Sequence, residues 1–353
     1  MSESIPAVVL GGSGYVAGEL LRLLSAHPNF TLEGIMSEGR PGEPVAQSFS
    51  HLASVYPELT FQSQAQIEAI VAREPSTAIF SAAPHGAAAG LIDALLRRSE
   101  AAGHTAHVVD ISADFRYASA AAYEAVYQHA HPAPARISSF TCAVPEHLSQ
   151  LTTAHVAHPG CFATAVLLAC VPLLALELTT PELFVTAVTG STGSGRKPVD
   201  GTHHPLRHSD LYAYSVLAHR HAPEIRACAL AASGIEPQLS FVPHSGPFAR
   251  GIHATVQATL RSPRQTPQII GALREYYARA PFVRVTDAPP RVKDVAGSNY
   301  ARLSAASDGR TVAVLCVLDN LNKGAAGGAV QWMNRLYRLP EATGLTAPAA
   351  GWS

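Results

Sequence analysis

The sequence predicts an α/β protein in two parts: a parallel sheet covered by helices on both faces, followed by an α+β domain with a mixed sheet. In the first half, short apolar runs alternate with stretches of helical periodicity, which is the pattern of βαβ units. In the second half, the apolar runs are β-branched or alternate with polar residues, and few helical stretches separate them. The length of 353 residues suits two domains.

The first half is predicted to contain four strands and two helices. Each strand is a short apolar run that ends in polar or turn residues, and each helix is rich in Ala or Leu. The strands are expected at Ile5–Leu10, Phe30–Met36, Thr77–Ser81 and His107–Ile111, and the helices at Gly18–Leu24 and Gly86–Arg98.

The second half is predicted to contain four strands and a final helix. The strands are expected at Phe184–Val188, Gln238–Val242, Ile252–Leu260 and Thr311–Leu318. The stretch Gly324–Leu339 is rich in Ala and Leu, and it is expected to form a helix that returns to the first domain.

The composition excludes several classes of protein. Charged residues make up 14% of the chain and apolar residues 47%, so the chain can bury a large core and global disorder is excluded. Lys plus Arg (25) nearly equals Asp plus Glu (26), which argues against a nucleic-acid or anionic-membrane binder. The five Cys are irregularly spaced, and the N-terminus lacks the pattern of a signal peptide. We therefore expect a cytoplasmic protein with free thiols.

A glycine-rich turn joins the first predicted strand to the first helix. Gly12–Ala17 reads G-x-G-x-x-A in the strand–turn–helix context that marks a Rossmann-type dinucleotide-binding domain. The glycines let the backbone approach a pyrophosphate, and Ala17 lets the helix pack closely on the strand. The helix N-terminus adds backbone N–H groups and a positive dipole.

The end of the second strand bears on the choice between NAD and NADP. Glu33 has about the spacing of a ribose-binding acid but lies within the strand, and Glu38 lies just beyond it. Ser37 and Arg40 suit a 2′-phosphate, which Glu38 would repel unless its side chain turns away. The sequence therefore favours NADP(H).

Cys161 is the candidate nucleophile. It follows a Pro-Gly turn and precedes a strongly apolar helix, so the helix dipole is expected to lower the pKa of its thiol. The thiolate is the form that attacks carbonyl carbon. The other cysteines lie in apolar strings and are expected to be buried: Cys142, Cys170, Cys228 and Cys316.

Two polar segments supply further chemistry. Thr189–Lys197 follows a strand and can present backbone N–H groups and hydroxyls to an anion. His219 and His221 precede a helix, and either can serve Cys161 as a base. No metal is expected, because neither a Cys cluster nor an acidic triad accompanies the 17 His.

Eight motifs occur in a defined order along the chain. They are Gly11–Tyr15, Pro84–Gly86, Asp110–Arg116, Val144–Glu146, His158–Cys161, His219–Ile225, Arg250–Ile252 and Asp319–Ala326. Together they resemble the N-acetyl-gamma-glutamyl-phosphate reductase family of arginine biosynthesis, which is related to aspartate-semialdehyde dehydrogenase. The resemblance covers essentially the whole chain.

The resemblance implies a reaction and a division of the chain. The reaction is the NADPH-dependent reductive dephosphorylation of N-acetyl-gamma-glutamyl phosphate to N-acetyl-glutamate 5-semialdehyde, through a cysteine thioester. The chain would divide into a dinucleotide-binding domain (1–157), a catalytic α+β domain with the oligomer contacts (158–323), and a C-terminal helix and tail that return to the first domain (324–353). A homo-oligomer, dimer or tetramer, acting on a small-molecule acyl phosphate is expected, without nucleic-acid or membrane partners.

The resemblance and the residue chemistry together define the expected site. The catalytic residues are expected to be Cys161, His219 and His221. The residues expected to bind NADP(H) are Gly11, Gly12, Ser13, Gly14, Tyr15, Val16, Ser37, Arg40, Pro84, Ser112, Ser194, Gly195 and Asn320, of which Asn320 should hold the nicotinamide end. Arg116, Arg207 and Arg250 are expected to bind the substrate, because guanidinium groups pair with phosphate and carboxylate.

The sequence also departs from the pattern of this family. Thr141–Glu146 reads TCAVPE where YGLPE is commoner, and Phe162 and Ala163 follow Cys161 where Tyr and Pro are commoner. The stretch His203–Arg207 resembles the lysine-pathway relative, which reduces the phosphate of a one-carbon-longer, carrier-linked substrate. An N-acetyl-aminoadipyl-phosphate reductase is therefore the alternative. A nucleotide-binding regulator without activity is a second alternative, which the intact cysteine and histidines disfavour.

Overall fold

The computed structural model describes residues 4–351, which form two compact units. The first unit comprises the described residues up to Cys142, together with Gln150–His158 and Ala326–Leu345. The second unit comprises Ala143–Ser149, Pro159–Ala325 and the described residues from Thr346 onward.

Each unit is built on one β-sheet. The strands of the first unit are β1 (Ile5–Leu10), β2 (Phe30–Ile35), β3 (Ser76–Ser81), β4 (Thr105–Asp110), β5 (Phe140–Cys142) and β6 (His155–Ala157). Those of the second unit are β7 (Thr179–Thr189), β8 (Tyr212–Ala213), β9 (Gln238–Ser245), β10 (Ile252–Leu260), β11 (Val283–Val285), β12 (Ala301–Ser307) and β13 (Thr311–Leu318).

The α-helices are divided between the two units. In chain order they are α1 (Tyr15–Leu24), α2 (Val45–Ser48), α3 (Gln64–Arg73), α4 (Ala88–Ala101), α5 (Ala120–Tyr127), α6 (Cys161–Ala175), α7 (His204–Arg207), α8 (His221–Ser233), α9 (Thr266–Tyr276) and α10 (Gly327–Leu336). The first unit holds α1–α5 and α10, and the second holds α6–α9.

The sheet of the first unit is parallel throughout, with the strand order β2-β1-β3-β4-β6-β5. β3 is buried along nearly its whole length, as expected for a parallel strand covered on both faces. The chain runs from β1 to β2 on one side and crosses back to β3 on the other. The carboxyl ends of β1 and β3 therefore form a topological switch point, where open α/β sheets bind ligands. The predicted Rossmann-type fold is confirmed.

The sheet of the second unit is mixed, as predicted, with the strand order β11-β12-β13-β10-β7-β9-β8. β7 pairs in parallel with β9 and antiparallel with β10, which in turn pairs antiparallel with β13. α6 packs on β7, β10 and β13 and against α8. Its residues Phe162–Leu174 are all buried, since a helix that is apolar on every side has no face to turn to water.

The final helix is shorter than the sequence predicts. Predicted over Gly324–Leu339, it spans Gly327–Leu336 in the structure. The preceding turn, Asn322–Ala326, is π-helical. α10 packs on β4 and α1 within the first unit. α9, the edge strand β11 and its neighbour β12 are among the elements that were not predicted, because their apolar residues are too few for a clear periodicity.

Two buried histidines of the first unit hold parts of the backbone together. His27 Nδ1 accepts the N–H groups of Asn29 and Phe30, so Nε2 carries the proton and donates to Asn334 Oδ1 over 3.1 Å. Burial lowers the pKa of His27. His155 Nδ1 accepts the N–H of Val108, and burial lowers the pKa of its ring to about 4.

We expect the free energy of unfolding to fall as the pH is lowered from 6.5 towards 4. The unfolded chain binds a proton at His155 from its ordinary pKa of 6.5 downward, whereas the folded chain does so only near pH 4. A histidine of this kind removes up to ~1.4 kcal/mol for each pH unit in that window.

Urea denaturation between pH 7 and pH 5 measures the slope of stability against pH. His155→Gln should flatten the slope, and His51→Gln, at an exposed position of the same unit, is the control. A His155→Gln slope equal to that of the wild type would contradict the assignment.

Candidate active site

Cys161 is the first residue of α6, as predicted from the Pro-Gly turn before it. Gly160 is the N-cap residue, and its carbonyl oxygen accepts the N–H and the hydroxyl of Thr164. Cys161 itself is half-buried. The thiol therefore lies at the positive end of the helix dipole, beside N–H groups of the first turn.

Glu224 fixes the turn that precedes Cys161. It lies in the first turn of α8 and is 1% exposed. Its Oε1 accepts the N–H of Gly160 over 2.6 Å. Glu224 is not part of the predicted site, although its position three residues after His221 at a helix start is a signal in the sequence.

Cys161 lines a cavity of about 370 Å³ within the second unit. The lining is mostly polar and includes both predicted histidines. The lining residues are Cys161, Phe162, Thr189, Gly193, Ser194, Tyr214, Ser215, Ala218, His219, Arg220 and His221. The structure thus brings together the three predicted catalytic residues and one residue predicted to bind cofactor, Ser194.

The two histidines of the cavity differ in their surroundings. Their ring centroids lie 4.7 Å apart, and the His219 ring also packs edge-on against Phe162 and Phe241. His219 Nδ1 accepts the backbone N–H of His221 over 3.1 Å. Burial, and then the charge of Arg220, lower the pKa of His219 to about 4. His219 is therefore neutral at pH 7 with its proton on Nε2, so Nε2 is a hydrogen-bond donor.

Two of the cavity residues absent from the predicted site, Arg220 and Tyr214, have titratable side chains. Arg220 has an exposed side chain, and its charge acts on both His219 and Tyr214. Tyr214 packs against His219 with ring centroids 5.6 Å apart, and burial raises the pKa of its phenol. Arg220 had a signal, since it stands between the two histidines; Tyr214 had none in the sequence.

The three predicted substrate-binding arginines all bond to the protein. Arg250 donates from Nε and Nη2 to the two carboxylate oxygens of Asp319 over 2.9 and 3.1 Å. Arg207 donates to the carbonyl oxygens of Gly246 and Asp210.

Arg116 lies in the first unit and donates to the carbonyl oxygens of Ile111 and His158 over 2.7 and 3.0 Å. Arg220, unlike Arg116 and Arg207, is exposed and lines the cavity of Cys161.

Asn320 lies at the end of β13 and is 2% exposed. Its Oδ1 accepts the N–H of Gly251 over 2.7 Å, and its Nδ2 donates to Thr192 Oγ1 over 3.0 Å. The Asn320 amide therefore links the loop that carries Ser194 to Gly251, the residue just before β10. Gly195 completes that loop with a φ of +82°.

The turn between β1 and α1 has the form of a pyrophosphate cradle. Gly11 has a φ of +76°, and a Cβ there would lie 2.4 Å from the carbonyl oxygen of Ala82. Gly14 is the N-cap residue of α1, makes no side-chain cap, and is followed by a first turn without an acidic residue. Ser13 and Val16 are half-buried, and Tyr15 is 38% exposed.

A Cβ on Gly12 would lie 2.8 Å from Met36 O. Only glycines permit this close packing of the turn. The turn therefore fits a dinucleotide.

The other predicted cofactor residues lie near carboxyl ends of the same sheet. Ser37 is buried just after β2, and its carbonyl oxygen accepts the N–H of Arg40. The Arg40 side chain is 48% exposed and lies 3.5 Å from Glu43 Oε2. Pro84 is exposed after β3, and Ser112 is buried after β4 with its hydroxyl donating to Asp110.

One cysteine differs from its predicted burial. Cys142, predicted to be buried, is half-buried, because the short strand β5 lies at the edge of its sheet.

Within residues 4–351, no group of three His, Cys, Asp or Glu side chains could hold a metal ion. His204 and His208 stack with ring centroids 5.2 Å apart, without such a third ligand. None of the helices in that range is long and apolar enough to cross a membrane.

Two family models match the two halves of the chain. The NAD-binding domain of semialdehyde dehydrogenases matches residues 6–153, and the dimerisation domain of semialdehyde dehydrogenases matches residues 161–320. N-acetyl-gamma-glutamyl-phosphate reductase from Symbiobacterium thermophilum is 38% identical over 352 residues, covering 96% of both chains.

The chain belongs to the N-acetyl-gamma-glutamyl-phosphate reductase family. The members from Nitrosococcus oceani and Methanosarcina mazei are 38% and 35% identical and cover 97% and 99% of this chain, and 98% and 99% of their own. Aspartate semialdehyde dehydrogenase II from Vibrio cholerae has the same fold, with a TM-score of 0.69 at 15% identity over 96% of this chain and 99% of that one. Family membership makes the chain an oxidoreductase that binds a nicotinamide dinucleotide.

Proposed function

We propose that the chain catalyses the NADPH-dependent reductive dephosphorylation of N-acetyl-gamma-glutamyl phosphate to N-acetyl-glutamate 5-semialdehyde, a step of arginine biosynthesis. The observation that carries the proposal is the cavity in which Cys161, at the start of α6, faces His219 and His221. Relatives that share this whole chain carry the name of that enzyme.

The first step is nucleophilic. The Cys161 thiolate attacks the acyl-phosphate carbon, the C–O bond to phosphate breaks, and phosphate leaves with the electron pair of that bond. Backbone N–H groups at the start of α6 stabilise the oxyanion of the tetrahedral intermediate. Arg220 lines the cavity and supplies a positive charge for the phosphate.

The second step returns Cys161 to its starting state. When bound, the nicotinamide dinucleotide supplies the hydride that reduces the thioester. A histidine donates a proton to the oxyanion as the thiohemiacetal forms. It takes the same proton back when the C–S bond breaks, so that Cys161 leaves as thiolate and the aldehyde is released.

The two histidines take different roles in this proposal. His219 is neutral with its proton on Nε2, so it donates a hydrogen bond to the developing oxyanion. To act as a base through Nδ1 it would have to give up the N–H of His221. We therefore assign proton transfer with Cys161 to His221.

The cofactor is proposed to lie on the β1–α1 turn, with NADP preferred over NAD. The residues of the first unit that would hold it are Gly11, Gly12, Ser13, Gly14, Tyr15, Val16, Pro84 and Ser112. Ser194, Gly195 and Asn320 stay predictions from the family resemblance. Arg40 supports the preference, because its exposed contacts with Glu43 and Ser48, over 3.5 and 3.3 Å, are weak and leave the guanidinium able to meet a 2′-phosphate.

A homo-oligomer is part of the proposal. The family model that matches residues 161–320 is a dimerisation domain. α6 covers one face of the second sheet, and Phe184 of β7, on the other face, is 60% exposed. We propose a cytoplasmic location, which the five free cysteines support.

Cys161→Ala should abolish turnover, because no thioester can form without the sulfur. The assay is phosphate-dependent reduction of NADP by N-acetyl-glutamate semialdehyde, run in this direction because the acyl phosphate is unstable. Cys142→Ala, at the other half-buried cysteine, should keep wild-type activity. Turnover by Cys161→Ala would exclude the covalent route, and a wild type that prefers the aminoadipate semialdehyde homologue would exclude the proposed substrate.

Arg40→Ala should raise the KM for NADPH about tenfold to a hundredfold and leave the KM for NADH nearly unchanged. The loss of a charge-assisted hydrogen bond to a 2′-phosphate costs about 1.5–3 kcal/mol. Steady-state kinetics with both cofactors measure the effect, and Arg97→Ala, another exposed arginine of the first unit, is the control. Equal use of both cofactors by the wild type would show that the 2′-phosphate is not recognised.

His221→Asn should shift the pH dependence of Cys161 alkylation upward, towards the ordinary thiol pKa of about 8.5. His219→Asn should leave the alkylation profile in place and lower kcat about a hundredfold, as loss of an oxyanion donor does. Iodoacetamide labelling across pH, followed by mass spectrometry, gives the profiles. The reverse pattern would exchange the two roles.

A further inference from the structure

The second unit contains a fully buried ion pair that the proposed reaction does not use. Lys323 Nζ lies 2.6 Å from Glu146 Oε1, and both side chains are 0% exposed. Nζ also lies 5.8 Å from the ring centroid of Phe282. Two apolar side chains of similar volume often stabilise a fold as well as a buried ion pair does. Stability alone therefore gives no reason for charges at this position.

One end of the pair is connected to the backbone of Cys161. Lys323 belongs to the π-helical turn Asn322–Ala326, and Gly324 follows it. A Cβ on Gly324 would lie 2.7 Å from Cys161 Cβ and 3.0 Å from its Cα, so the backbone at 324 forms the wall behind the cysteine. π-turns of this kind occur often at functional sites.

The other end of the pair is connected to α6 two turns further on. His147 follows Glu146, and its Nε2 lies 2.8 Å from the Tyr277 hydroxyl. That hydroxyl donates its proton to Leu168 O over 2.7 Å, so His147 Nε2 must be the donor to Tyr277. Burial lowers the pKa of His147 to about 4, which keeps the ring neutral in this chain of bonds.

We propose that the Lys323–Glu146 pair is a positioning device for the Cys161 sulfur. It joins the segment that touches Cys161 to the segment that holds Leu168, and Leu168 lies seven residues after Cys161 on the same side of α6. The pair thereby sets the height and rotation of the first two turns of the helix. The proposal rests on Cys161 being the nucleophile, and both partners are positioning residues because neither lines the cavity.

The test replaces the charges without leaving one of them alone. Lys323→Met combined with Glu146→Leu keeps the volume and removes the pair. Tyr277→Phe keeps the pair and cuts the link to Leu168, Lys323→Arg preserves the charge, and Arg274→Met with Asp287→Leu removes an exposed ion pair of the same unit as the control. The melting temperature, kcat, KM and the rate of Cys161 alkylation at pH 7 are measured for each.

The double variant and Tyr277→Phe should remain folded and should lose about tenfold to a hundredfold in kcat, since a displacement of about 1 Å at a reacting atom has an effect of that size. KM should change less than kcat, alkylation should slow in the same order, and Lys323→Arg should recover most of the loss. Wild-type kcat and alkylation in a folded double variant would overturn the proposal. Alkylation needs no substrate, so it still decides the matter if the wild type proves inactive as a reductase.

Discussion

The candidate active site depends on the N-terminus of α6, a helix that is buried from Phe162 to Leu174. A helix that is apolar on all sides has to be surrounded by protein, yet its first N–H groups have no partners within the helix. The turn before the helix uses a carboxylate from another helix, Glu224, to bind the Gly160 N–H. The first helical residue is the cysteine, so its sulfur lies beside the first turn of the helix. The arrangement that buries the helix thus also places the thiol at the positive end of the helix dipole.

A second carboxylate, that of Asp319, holds the backbone segment that passes behind Cys161. Asp319 is 0% exposed and accepts hydrogen bonds from Arg250 and from the backbone N–H groups of Gly297, Leu321 and Asn322. The Gly324 N–H also donates to the Asp319 carbonyl oxygen, so Asp319 holds the segment that touches Cys161 through both its side chain and its backbone. Arg250 therefore has a structural role, because it binds both carboxylate oxygens of Asp319. Its guanidinium compensates a buried anion on which the loop depends.

The fold was largely predictable from the sequence, because strands and helices with strong periodicity dominate it. The strands β10 and β13 begin and end at the predicted residues, and the strand–turn–helix at Gly12 was identified from its glycines. The strands β11 and β12 and the helix α9 were not, since few large apolar residues define them. A π-helical turn, as at Asn322, has no periodicity that a sequence reveals.

The site was predictable where a residue is singled out by local context and not where tertiary contacts decide. Cys161 follows a turn and begins a helix, and both features are local. The roles of the arginines are not local: Arg207 donates to backbone carbonyl oxygens, whereas Arg220 reaches the cavity. The tautomer of His219 depends on a single backbone N–H two residues later, which only coordinates can show.

The five cysteines differ in burial, so thiol reagents can distinguish them in the native protein. Cys170, Cys228 and Cys316 are buried, and burial raises the pKa of Cys170 to about 12 and that of Cys316 still further. Buried thiols with raised pKa values react slowly with electrophiles, because the thiolate is the reactive species. Replacing Cys142 alone therefore leaves Cys161 as the one cysteine of the five that is not buried in the native protein. The stoichiometry of a mild thiol titration then counts folded molecules directly, and a bulky spectroscopic label can be attached at Cys161 without further engineering.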